Sequence, residues 1–222
     1  MERLWGDLLP LVWRVARWQD SRSTWLVMAF CCLGLVGIGH YVLERYIYMQ
    51  PCEQCVYIRY AFLVIALGGF IAAIQPSNKA LKTMGYVLAF YGAIRGIMFS
   101  LRLCDIHYAA HSDELIFGVQ GCSALPYFDF GLPLDRWIPS LFRPIGDCGF
   151  DSPIVPNDVA LSGFQKWLID LYAQGWYLIP SEQFGNMAQC CLFAFGLCCV
   201  CLGAMLLAYL IESTSLDSRQ TR

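Results

Sequence analysis

Residues 51–75 read PCEQCVYIRYAFLVIALGGFIAAIQ: a proline, two cysteines three positions apart, then a run from Val56 to Gln75 in which Arg59 is the one charge. A helix rises about 1.5 Å per residue, so about 20 apolar residues cross a hydrocarbon core about 30 Å thick. This stretch is expected to span a membrane, and three others match it. Ser23 to Leu43 and Gln183 to Ile211 carry no Asp, Glu, Lys or Arg, and Thr83 to Leu101 carries only Arg95. Trp25, Tyr41, Tyr86, Trp176 and Tyr209 lie near the ends of these runs, where amphipathic rings settle at headgroup level. The expected architecture is an all-α membrane protein, one integral membrane unit over 1–222. It forms a four-transmembrane-helix bundle with spans at about 23–43, 56–75, 83–101 and 185–211.

Composition agrees with that reading. Of the 222 residues, 58% are apolar and 14% charged, against about 25% charged in a soluble domain. Fifteen basic against 17 acidic residues leave a net charge of -2, so the cationic excess that draws proteins to phosphate backbones is missing and nucleic acid is not an expected partner.

Four spans put both termini on one side. Arg3, Arg14, Arg17 and Arg22 precede the first span, Lys79 and Lys82 sit by the second turn, and Arg219 and Arg222 end the chain. Basic residues collect on the cytoplasmic side, which places both termini there and leaves two outer loops, a short one at about 44–55 and a long one at about 102–184. The apolar run beginning after residue 22 is too long for the core of a cleavable leader, so the first span is expected to be its own insertion signal. Leu8, Leu11, Val12 and Val15 share one face of an amphipathic segment expected on the inner membrane surface. In the long loop, Leu134, Trp137, Ile138, Leu141 and Phe142, and again Phe164, Trp167, Leu168, Leu171 and Tyr172, recur at helical spacing. Both pieces suit either the outer membrane surface or packing within the loop, although Pro139 interrupts the first.

The 12 cysteines divide by environment. Cys31, Cys32, Cys190, Cys191, Cys198, Cys199 and Cys201 fall in apolar runs, where a thiol packs as a small hydrophobe. Cys52, Cys55, Cys104, Cys122 and Cys148 map to the outer side or its edge, where disulfides form if the compartment is oxidising. Cys52 and Cys55 follow Pro51 at the start of a helix, where unpaired N–H groups and the positive end of the dipole stabilise a thiolate. A disulfide closing so short a loop restrains the unfolded chain little, so redox use outweighs stapling. Zinc is the competitor, since C-x-x-C is half a tetrahedral site, but no second such pair accompanies it and no metal is expected. Arg59, one turn below Cys55, is costly in a membrane and marks a candidate site that stabilises a thiolate or a developing anion; the bland alternative is an arginine snorkelling to the headgroups. For Arg95 a structural and a site role are both open, and Gly92 with Gly96 beside it suits close helix packing. If joined, Cys122 and Cys148 are either a staple or, beside a reactive C-x-x-C, one stage of a relay by thiol exchange.

Together these residues resemble the DsbB family of bacterial inner-membrane disulfide-generating enzymes. The likeness rests on Trp25 to Phe30, on Pro51-Cys52-Glu53-Gln54-Cys55-Val56-Tyr57-Ile58-Arg59, on Tyr91-Gly92-Ala93-Ile94-Arg95-Gly96, and on Leu132 to Pro139 with Gly146-Asp147-Cys148. Within the family, Cys52 to Tyr60 and the longer second loop look most like the DsbI subgroup, which works with a thioredoxin-like partner called DsbL.

The resemblance implies a multi-pass protein of the bacterial inner membrane with periplasmic loops. It implies a quinone-dependent thiol oxidase that recharges a periplasmic DsbA- or DsbL-type oxidant. Cys122 would form the mixed disulfide with that partner and Cys148 would be its loop mate. Cys52 and Cys55 would receive the electrons, and Cys55 with Arg59 would face a quinone, ubiquinone or menaquinone, of the membrane pool. Where some members carry a histidine thought to lie near the quinone, this chain has Leu103, so that role does not transfer and His107 does not replace it. Cys104 has no family partner and is either a free thiol or paired with Cys190. Ser152 to Gly175 is extra, a docking surface or an insertion. Two other readings compete: a four-span scaffold with structural disulfides, and a vitamin K epoxide reductase-like enzyme, whose cysteine pairs come in the opposite order.

Overall fold

The computed structural model describes residues 14–15, 17–111, 122–123 and 125–220. Most of the amphipathic segment expected before Trp18 lies outside these residues. Among the described residues, four helices are long and apolar enough to cross a membrane. The first, α1, is Arg22–Gly37 and continues without a break as a π-helix over Ile38–Tyr46. The others are α2 at Glu53–Ile74, α3 at Lys79–His111 and, last in the chain, Met187–Gln220. Between them the long loop forms α4 (Leu134–Trp137), α5 (Pro139–Phe142) and α6 (Gly163–Leu171), so the final helix is α7.

Each boundary has a local cause. Asn78 caps α3, its Oδ1 accepting from the amides of Ala80 at 2.9 Å and Leu81 at 3.4 Å. Ser162 caps α6 through the amide of Gln165. Pro139 cannot continue a helix begun at Leu134, and the segment is interrupted there as the sequence implies, forming two short turns. The helix expected at Phe164 forms as α6, with Phe164, Trp167 and Leu171 exposed along one face. A two-stranded hairpin, β1 (Tyr177–Ile179) against β2 (Phe184–Asn186), leads into α7.

The second span is the central one. α2 packs along both α1 and α3, and α7 lies along α3. The core between them includes Trp25, Ile65, Phe195 and Leu202, all essentially inaccessible, with Phe62 stacked on Phe195 at 4.1 Å between ring centroids. The small residues of α3 act as expected: a Cβ on Gly92 would stand 2.8 Å from the carbonyl oxygen of Ala61, and one on Gly96 would meet the Phe195 ring. Close approach of the helices depends on both.

Two features go beyond the span boundaries read from the sequence. The third helix runs to His111, well past Leu101, because backbone hydrogen bonding continues after the apolar run ends at Arg102. The π-helical end of the first span carries Glu44, Arg45 and Tyr46 in helix rather than loop. Extra-residue turns of this type concentrate at functional sites, and this one aims His40 and Glu44 at the second span.

Candidate active site

At the loop end of α2, Cys52 takes the N-cap position with extended backbone, and its sulfur accepts from the Cys55 amide at 3.2 Å. The first N–H groups of a helix lack intrahelical partners, and here a cysteine sulfur satisfies one of them. Cys52 and Cys55 are joined as a disulfide with Cα atoms 5.0 Å apart, both buried. Cys122 and Cys148 are joined likewise, at 5.8 Å.

The long loop is tied down on both sides of the Cys52–Cys55 pair. Glu53, buried between the two cysteines, accepts from the Ser123 amide at 2.7 Å and from the Tyr57 hydroxyl at 2.9 Å. Tyr57 in turn accepts from the Tyr127 amide at 2.7 Å. From the other side, Ile145 and Gly146 donate to the Pro51 carbonyl at 3.0 and 3.1 Å. Gly146 lies so close to Gln50 that a Cβ would stand 2.7 Å from the Gln50 carbonyl oxygen. The ties flank Cys122 and Cys148, and Cys148 packs in the same buried cluster as Cys52 and Cys55, with Cys122 against it. All four cysteines singled out in the sequence are thereby brought together.

The two arginines part company. Arg95 grips Asp129 with two hydrogen bonds, at 2.9 and 2.6 Å, and Tyr91 adds a third at 2.5 Å. These bonds anchor the loop to α3. Arg59 is buried among protein groups. Its guanidinium is ion-paired with Glu44 and donates to the Leu141 carbonyl at 3.2 Å. The second Glu44 oxygen is hydrogen-bonded to His40 Nδ1 at 2.8 Å. Ion pairing of this kind makes a buried charge tolerable.

Cys55 and Arg59 line one cavity of about 190 Å³. Its walls are mostly apolar, from Val36, Ile38, Ile58, Phe62 and Ala194 among others, with Glu44, Gln50 and Asp151 as polar points. Asp151 lies in the loop, and burial pushes its carboxyl above the usual carboxylate range against the opposing pull of His111. A flat ring bearing carbonyl oxygens fits this donor set: apolar faces for the ring, guanidinium N–H groups for an oxygen, and a redox sulfur in the same wall.

Cys104 and Cys190 are free thiols, so the bridge considered between them is not made, and Cys190 and Cys191 line the cavity instead. Leu103 is fully buried. His107 and His111 stack on one another at 4.2 Å. No group of three or more potential metal ligands converges among the described residues. Sequence reasoning passed over His40, Glu44, Glu53 and Tyr57. The available signal was that Glu44, the first charge after a run of 21 uncharged apolar-rich positions from Ser23 to Leu43, lies four residues after a histidine.

Comparison with known proteins places this geometry. The family model described as "Disulfide bond formation protein DsbB" matches residues 21–205. A Campylobacter fetus protein carrying the DsbI name is 54% identical over 199 residues, covering 90% of this chain and 92% of its own. The Salmonella typhimurium "Protein-disulfide oxidoreductase DsbI" is 53% identical over 207 residues, 91% of this chain and 92% of that one. Its Escherichia coli O1:K1 namesake is 51% identical, covering 91% and 93%. A match of this extent, over a bundle that carries two cysteine pairs at one end, means that the chain belongs to the DsbB family of disulfide bond formation proteins and is a membrane protein-disulfide oxidoreductase.

Proposed function

We propose that this oxidoreductase is a quinone-dependent thiol oxidase of the bacterial inner membrane, recharging a thioredoxin-like periplasmic oxidant of the DsbA or DsbL type. In this reading both termini are cytoplasmic and both loops periplasmic. The carrying observation is that Cys55 and Arg59 line one apolar cavity while Cys148 packs in the same buried cluster as the Cys52–Cys55 pair. Neither a scaffold with structural disulfides nor a vitamin K epoxide reductase-like enzyme accounts for membership in this family.

The partner's thiolate attacks Cys122, the exchange frees the Cys148 thiolate, and Cys148 attacks the Cys52–Cys55 disulfide within the cluster that buries all three. Resolution of the partner's mixed disulfide and closure of Cys122–Cys148 leave Cys52 and Cys55 reduced. Arg59, one turn below Cys55, stabilises the Cys55 thiolate and presents N–H donors to a carbonyl oxygen. A bound quinone supplies a sink for two electrons and two protons, and each 30 mV by which its potential exceeds that of the disulfide contributes about 1.4 kcal/mol. The apolar walls exclude water from the Cys55 side of the cavity.

The test is a thiol count by mass spectrometry on fully reduced protein, before and after adding a quinone without oxygen. Loss of four thiols at Cys52, Cys55, Cys122 and Cys148 is expected. If every thiol stays free, the oxidase reading fails.

A further inference from the structure

We infer that His40 and Glu44 form a proton relay that carries protons from the loop face of the bundle to an electron acceptor in the Cys55–Arg59 cavity. The inference rests on the quinone reading above and adds to it the route of the protons.

The need for such a route follows from the chemistry. Thiol–disulfide exchange moves electron pairs as thiolates and leaves the thiol protons in water. Two electrons reach Cys55 in this way, whereas reduction of a quinone to a hydroquinone consumes two electrons and two protons. The Cys52–Cys55 disulfide re-forms as the electron pair departs, and the two protons come from elsewhere. The cavity walls are apolar, so a polar side chain must conduct them.

Glu44 is placed for this. It lines the apolar cavity beside Cys55 and Arg59, and it also lines a second, more open cleft on the loop face, shared with His40, Arg45, Tyr48 and Arg143. Its two oxygens face different ways along that path. One is paired with Arg59 and the other with His40 Nδ1 at 2.8 Å. His40 is 7% exposed and borders the cleft. A proton taken up by His40 from the cleft passes to Glu44, and from Glu44 into the cavity, after which the carboxylate returns to Arg59. The charged groups that set the balance are Arg59 from α2, Arg45 on the pair's own helix, Arg143 of the long loop at the cleft and Asp151 at the cavity. The π-helical turn produces this arrangement, since it holds both side chains against α2 at the depth of Arg59.

The first measurement needs no quinone: dicyclohexylcarbodiimide, which captures carboxyl groups that become protonated in apolar surroundings, is applied to quinone-free protein and the adduct mapped by mass spectrometry. Labelling of Glu44 that rises as pH falls is expected. The second compares wild type, Glu44→Gln, Glu44→Asp and His40→Gln in anaerobic reduction of a soluble quinone by dithiothreitol. Glu44→Gln is expected to lower kcat at least tenfold with little change in KM, and small weak acids such as formate are expected to restore part of the rate. Glu44→Asp retains more activity than Glu44→Gln, and His40→Gln, which leaves the Arg59 pair intact, flattens the pH profile. Exchange between Cys122–Cys148 and the dithiol, read without quinone, stays at the wild-type rate. Absence of Glu44 labelling at every pH, or a Glu44→Gln protein with wild-type kcat and pH profile, overturns the relay alone. A loss that no weak acid restores means that Glu44 only holds Arg59, and also overturns it. A wild-type protein that leaves the quinone oxidised overturns the oxidase reading and the relay with it.

Discussion

Glu53 shows how a residue between two cysteines can govern a loop 70 positions away. Its carboxylate accepts from Ser123 and Tyr57 at once, and a hydrogen bond to a charged group contributes about 1.5–3 kcal/mol. Glu53→Gln weakens the charge-assisted bond to Ser123 and is expected to speed hydrogen exchange at the Ser123 amide about tenfold, with slower electron passage from Cys122–Cys148 to Cys52–Cys55. Unchanged protection of Ser123 would remove Glu53 from its role as a latch. Asp151 supports a prediction of the opposite sign. Burial raises its carboxyl pKa in the folded protein above the unfolded value, so stability is fully present below the unfolded pKa and is lost as pH rises through the folded one. Asp151→Asn is expected to melt at a higher temperature than wild type at pH 7–8, the advantage disappearing by about pH 4. Melts of the purified protein across that range decide it. At this scale Cys52, Cys55 and Arg59 were legible because a redox pair and a membrane charge are rare. Glu53 and Glu44 were not, because their partners Ser123 and Arg59 are brought to them only by the fold.

At the scale of elements, the four spans were legible from runs of apolar residues alone, since a continuous apolar segment of that length satisfies its own backbone in a bilayer as a helix. What decides their spacing is finer. Gly92 faces the Ala61 carbonyl of α2 with no room for a methyl group, whereas a Cβ on Gly203 of α7 would meet nothing within 4 Å. Gly92→Ala therefore forces two helices apart and is expected to cost about 1–3 kcal/mol. Gly203→Ala gains up to about 1 kcal/mol from helix propensity. Thermal unfolding of the two variants side by side tests the difference, and equal melting temperatures would mean that α2 and α3 do not depend on that contact. The π-helical end of α1 was not legible, because a 21-residue uncharged run fits an α-helix as well as a π-helical ending. The hydrogen bond from Ile47 to Val42, five residues back, appears only with the coordinates. α6 was legible from its i, i+3, i+7 spacing, while the break at Pro139 limited the earlier segment to separate turns.

For the whole molecule, the proposed function divides labour between a membrane-buried electron exit and a loop that meets the partner, and the two cysteine pairs assigned to them stand at one end of the bundle. On that reading orientation determines function: the proposed exchange requires the Cys122–Cys148 pair to face the partner's compartment and the turn between α2 and α3 to face the other. The bias of Lys79 and Lys82 toward that turn supports this orientation, and Lys82 is held there by Asp20 at 2.5 Å. Ser77 is exposed in the same turn, so Ser77→Cys adds a thiol at the end opposite the loops. In reduced spheroplasts, a membrane-impermeant maleimide is expected to label Cys122, the less buried of the loop pair, from outside and to reach the new Cys only after lysis. Labelling of the Ser77→Cys thiol in intact spheroplasts would invert the topology. The Cys122–Cys148 pair would then open on the cytoplasm, where the thiol pool is kept reduced and any disulfide the pair passed on would be reduced again.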